Sequence, residues 1–192
     1  TNDIFGVSVA SAGDVNGDGF SDAIVGANRA YNGSGGAYIY YGGTVMNISP
    51  DVVLTGELPL TYTFGQAVST AGDINDDGYD DVIVGSSTYN NYTGQAFVFY
   101  GGPAMNNVSD IEMTGEGINT SFGNSISSAG DLNGDGHSDL IIGAHQTNNL
   151  MGKCFVYFTS SPNVHPNILS VKDVSGDQGG FVNLRFARSA FD

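Results

Sequence analysis

The chain has 192 residues, 40% of them hydrophobic, enough for a packed core in one large domain or two small ones, and its 29 glycines call for many turns. Twenty acidic residues against five basic ones set the net charge at −15, which argues against a nucleic-acid partner, whose phosphates need Lys and Arg. No apolar run reaches the ~18 residues of a membrane span, and the one cysteine excludes a disulfide framework.

The charge is unevenly placed. Residues 1–161 carry 17 acids against Arg29 and Lys153, whereas residues 162–192 balance three acids with Lys172, Arg185 and Arg188. Eleven of those 17 acids lie in or beside a stretch written three times.

In chain order, Phe5-Gly6 opens the first repeat and recurs as Phe64-Gly65 and Phe122-Gly123. Small alternating runs follow, Val7–Ser11, Ala67–Thr70 and Ser125–Ser128, and read as strands of period two. Each leads through Ala-Gly-Asp into an acidic loop. The loops run Asp14–Asp22, Asp73–Asp81 and Asp131–Asp139, with oxygen-bearing side chains at positions 1, 3, 5 and 9 and glycine at 6.

Hard cations such as calcium take six to eight oxygens, and alternating ligands around a glycine turn can wrap one ion. The candidate ligands are Asp14, Asn16, Asp18, the Phe20 carbonyl and Asp22. Their equivalents are Asp73, Asn75, Asp77, the Tyr79 carbonyl and Asp81, then Asp131, Asn133, Asp135, the His137 carbonyl and Asp139. Three calcium ions, one per loop, are expected. A metal-free Asx-rich turn is the plain alternative. The helix–loop–helix calcium motif is excluded, because position 12, where it needs Glu, holds Val25, Val84 or Ile142.

Short branched runs closed by glycine follow each loop, at 23–26, 82–85 and 140–143, and predict second strands. Polar connectors then lead to third strands rich in aromatics, at 37–41, 96–100 and 154–158, expected to pack in the core. Cys154 lies in the last of these and reads as a small buried hydrophobe. Fourth strands appear at 52–57 and 110–116. Four strands per ~58 residues without helical periodicity predict an all-β fold of propeller blades.

Residues 162–167, with two prolines, read as a linker. His145 and His165 have no partner at metal-ligand spacing and are expected to be solvated. Two further alternating runs, 168–174 and 180–186, predict a strand pair.

Taken together, Phe-Gly, Ala-Gly-Asp, the Asp-x-Asn-x-Asp-Gly-x-x-Asp loop and Val-Gly-Ala resemble the FG-GAP repeat of integrin α-subunit propellers and their bacterial relatives. The resemblance covers about residues 4–160, in three repeats of about 4–62, 63–120 and 121–160. It implies part of a seven-bladed propeller, with calcium between the first two strands of a blade. Residues 168–192 resemble the first strands of a fibronectin type III-like sandwich found beside bacterial propellers.

The expected function is a calcium-stabilised, non-catalytic binding or adhesion module of a secreted or cell-surface protein. A protein or glycan ligand would sit on a propeller face, near Asn28–Asn32, Tyr89–Tyr92 or Gln146–Asn149. The alternative is an accessory or catalytic propeller of an extracellular hydrolase or lyase acting on polysaccharide or phosphoester. Against catalysis, there is no nucleophile elbow and no paired His constellation. Three blades are fewer than a closed ring needs, so the chain is expected to be a fragment with further blades of the same polypeptide as partners. A strand from upstream of Thr1 is expected to complete the third blade, and Val25, Ile39 and Phe155 to show on the open faces.

Overall fold

The computed structural model describes residues 3–46, 48–56, 63–145, 152–159, 168–173 and 182–184. Its strands build three antiparallel sheets, the first two of four strands each. Sheet one runs β1 (Phe5–Gly13), β2 (Asp22–Ala27), β3 (Gly36–Tyr40) and β4 (Val52–Thr55). Sheet two repeats that order with β5 (Ala67–Gly72), β6 (Asp81–Ser86), β7 (Gln95–Phe99) and β8 (Ile111–Thr114). The third sheet begins with β9 (Phe122–Gly130), β10 (Asp139–Ala144) and β11 (Lys153–Tyr157). The all-β blade architecture expected from the repeats is the architecture observed.

Strand alternation decides where the core lies. In the middle sheet, Val82, Val84, Phe97 and Phe99 join a cluster with Ile24, Ile39 and Leu54 of the first sheet. Their neighbours Ile83, Ala96 and Val98 turn to the third sheet and meet Leu140, Ile142 and Phe155. A sheet covered on both faces has no polar side, so Val82–Val84 is a continuous apolar run rather than an alternating one. The Phe of each Phe-Gly seals the joint. Phe64 meets Phe97 edge-on at 5.4 Å, and Phe122 meets Phe155 at 5.2 Å. Gly35 and Gly94 bridge by backbone to Phe64 and Phe122 of the next sheet.

Phe5 has the same partner type, Tyr38 at 5.5 Å, but is 58% exposed where Phe64 is 0% and Phe122 1% exposed. Val9 is likewise exposed while Val68, at the same place in β5, is buried. The expected exposure of Ile39 and Phe155 is therefore corrected. Both are buried between sheets, and the open apolar face is the one carrying Phe5 and Val9.

The fourth position of the third sheet is filled from downstream. Strand β12 (Ile168–Asp173) pairs with β11, and β13 (Val182–Leu184) pairs with β12. Cys154 faces Val171 in the register that sets Ala37 opposite Leu54 and Ala96 opposite Met113. The expectation of a strand from upstream of Thr1 is thereby overturned. An antiparallel partner need only reach an open edge, and the chain leaving β11 supplies one. The two strands expected to open a sandwich do form a hairpin, joined to the third sheet. The linker 162–167 and the connector 146–149 lie outside the described residues.

The first two connectors between second and third strands contain single turns that sequence periodicity does not announce, α1 (Ala30–Gly33) and α2 (Tyr89–Tyr92). Their inner residues, Tyr31, Asn32, Asn90 and Asn91, take left-handed φ between 43° and 60°, which Asn tolerates better than most residues.

Candidate metal centres

Each acidic loop joins the first two strands of its sheet, and in each the side chains grip the backbone in one repeated pattern. Position 1 accepts from the amides of positions 5 and 6: Asp14 from Asp18 and Gly19, Asp73 from Asp77 and Gly78, Asp131 from Asp135 and Gly136, all at 2.8–3.1 Å. Position 3 accepts from the amide of position 5, as Asn16, Asn75 and Asn133 do at 2.8–3.1 Å. Position 5 accepts from the amide of position 7 at 2.9–3.0 Å. These Asx turns wind positions 1, 3 and 5 around one short loop. The winding needs a left-handed residue at position 4, which is Gly17 (φ 77°), Gly134 (φ 79°) or Asp76 (φ 61°).

Position 9 is held differently. Asp22, Asp81 and Asp139 begin the second strands and are 3%, 0% and 0% exposed. One oxygen of each accepts from the amide of position 2: Val15, Ile74 and Leu132, at 2.8–3.0 Å. The other accepts from the amide just beyond the third strand, Gly42, Gly101 or Thr159, at 2.7–3.1 Å. Sequence reading placed these carboxylates in the loops but missed the second partner, which lies 20 residues on. The Gly-Gly pairs ending β3 and β7 were the available signal.

Burial raises the carboxyl pKa of all three. For Asp81 it outweighs two amide bonds and pushes the carboxyl up to about 7, with Asp77 and Asp73 adding repulsion. Asp22 and Asp139 move the same way for the same reason. Asp131, exposed and held by the amides of Gly136 and Gly134, moves down instead.

The residues fit a hard cation in donor chemistry. Every candidate ligand is an oxygen, and a carboxylate offers about four acceptor positions, of which the position-9 carboxylates use two each. Among the described residues, no group of three or more His, Cys, Asp or Glu is drawn together as a ready cage. His137 pairs with Asp76 at 3.1 Å and Lys153 with Glu116, neither on a position-9 carboxylate. Cys154 is half-buried and its thiol is pushed up by burial, consistent with an unreactive packing role.

The FG-GAP repeat family model matches residues 5–40, 64–99 and 122–153, each a stretch from the first strand of a sheet into the third. Integrin alpha-5 of Xenopus laevis is 29% identical over 186 residues, covering 88% of this chain and 18% of that protein. Integrin alpha-IIb of Mus musculus is 36% identical over 159 residues (73% and 15%). Integrin alpha-3 of Cricetulus griseus is 42% identical over 88 residues (43% and 8%). The chain thus spans less than a fifth of the length of these relatives. With three matched repeats, one per sheet, the chain belongs to the FG-GAP repeat family, and its sheets are blades of an integrin-like propeller.

Proposed function

We propose that the chain is a calcium-stabilised, non-catalytic recognition module of a cell-surface or secreted protein. One observation carries the calcium reading: three buried position-9 carboxylates, each at the end of an oxygen-bearing loop and each without a basic side chain as partner among the described residues. A buried charge is costly unless paired or bound to a metal. A cation bound at positions 1, 3, 5, 7 and 9 would supply the counter-charge and tie the start of the second strand to the loop. The likeness to integrin alpha subunits supports the adhesion-type role, the non-catalytic reading and a place at or outside the cell surface.

Recognition is assigned to the connectors at the opposite ends of the second strands. Tyr31 and Tyr92 are 46% and 48% exposed there, flanked by Asn32 and Asn91. Aromatic faces and amides on rigid turns suit a protein or glycan ligand. The face carrying Phe5 and Val9 is assigned to a further blade of the same polypeptide, by analogy with the seats of Phe64 and Phe122. Calorimetry with calcium tests the first part, with binding in the extracellular range of about 10⁻⁴ to 10⁻³ M expected. No heat, together with a melting temperature indifferent to calcium, rejects it.

A further inference from the structure

The first two acidic loops are joined across the blade boundary by residues that are not themselves candidate ligands. Asp80, at position 8 of the second loop, holds Asp14 from both sides. Its Oδ2 accepts from the Asp14 amide at 2.8 Å, and its own amide donates to the Asp14 carbonyl at 3.1 Å. Asp14 is position 1 of the first loop, while Asp80 stands between Tyr79 and Asp81, positions 7 and 9 of the second.

A second route runs through Gly101-Gly102. The Gly101 amide donates to Asp81 Oδ1 at 2.8 Å, the Gly102 amide to the Val15 carbonyl at 2.7 Å, and the Val15 amide to Asp22 Oδ2 at 2.9 Å. Three hydrogen bonds therefore connect the position-9 carboxylates of neighbouring loops. The splice tolerates no side chain, because a Cβ on Gly101 would lie 2.3 Å from the Asp80 carbonyl and 3.0 Å from that of Val15. Tyr79 closes over the first loop as well, its ring 2.5 Å from where a Cβ on Gly17 would stand.

We propose that the first and second loops bind their cations with positive cooperativity, and that Asp80 is the positioning residue that couples them. The inference rests on the calcium reading above. A cation in the second loop fixes residues 79–81, and with them the carboxylate that orients Asp14 for the first. Two like-charged ions repel, and the non-ligand carboxylate of Asp80 between their loops offsets part of that repulsion.

The test follows the amide NMR resonances of Gly19 and Gly78, each hydrogen-bonded to position 1 of its own loop, as calcium is added to the chain. Asp77→Ala should silence Gly78 and weaken binding at Gly19 about five-fold or more, the usual floor for coupled sites. In Asp80→Ala, where the first loop is already weakened, adding Asp77→Ala should leave Gly19 nearly unmoved. Asp80→Asn keeps an acceptor oxygen for the Asp14 amide but loses the offsetting charge, so it should keep part of the coupling, clearly more than Asp80→Ala, which a general loss of packing would not predict. First-loop affinity indifferent to Asp77→Ala, or a coupling equally large in Asp80→Ala, overturns the proposal. If Asp80→Ala does not fold, Asp77→Ala alone decides whether the loops are coupled, and Asp80→Asn whether the acceptor suffices. Independent binding at both glycines rejects only the coupling, while no calcium response at either rejects the calcium reading too.

Discussion

Asp18, Asp77 and Asp135 each hold position 5, where one oxygen already accepts the position-7 amide. Asp18→Ala therefore removes a turn bond and a candidate ligand together, and the two losses separate by condition. At about 1 mM calcium a site of extracellular affinity contributes ~0.4–1.4 kcal/mol, or ~1–5 °C in a domain of this size. Scanning calorimetry should find a larger drop in melting temperature with calcium than in chelator, and equal drops would tell against a site there.

Asp81 gives the pH dependence. Its folded pKa of about 7 lies above the ordinary 3.8, so the folded chain keeps a proton that the unfolded chain releases. The stability from that proton is complete below 3.8 and lost as pH rises through 7. Asp22 and Asp139 act in the same direction. In chelator, the melting temperature should fall between pH 5 and pH 8. In calcium the ionised form is the one bound, so the fall should shrink or reverse. The same slope in both conditions would refute this.

At the scale of the element, packing between blades explains why the first two second-strand runs close on glycine. A Cβ on Gly26 would stand 2.0 Å from the Gly65 carbonyl, and one on Gly85 would stand 2.1 Å from that of Gly123. Backbone of one blade meets backbone of the next, and neither can yield. Gly85→Ala should cost about 3 kcal/mol, the upper range for overpacking. Gly143, at the equivalent place in β10, meets only the Ser125 hydroxyl, a movable group, so Gly143→Ala should cost much less. Chemical denaturation of both variants makes the comparison, and equal costs would contradict the packing argument.

For the whole molecule, the third blade depends on sequence beyond its repeat. Because β12 covers the β11 edge from Cys154 to Tyr157, a chain stopped after Ser161 should expose an unpaired strand beside Phe155 and Tyr157. Such an edge is a template for self-association. Light scattering and thermal melting of the shortened chain should show oligomers and a lower transition. An unchanged monomer of unchanged stability would mean that β12 contributes nothing to the blade. Acidic loops lie at one end of the strands, turns with left-handed residues at the other and apolar cores between the blades.

The sequence by itself determined the repeat, the strand order within a blade and the loop positions with oxygen side chains, because all of these are local. A period of two, a glycine at a forced turn and alternating Asx residues act within a few neighbours. Only the tertiary structure decided which runs face which blade, since Ile83 and Val84 look alike until sheets lie on both sides. It also decided that β12 fills the third blade and that Phe5 stands open where Phe64 is sealed. The partnership of Asp22 with Gly42, and the grip of Asp80 on Asp14 across 66 residues, were likewise invisible in order of sequence. Hydrogen bonds and packing act through distance in space, and only the folded chain brings such residues together.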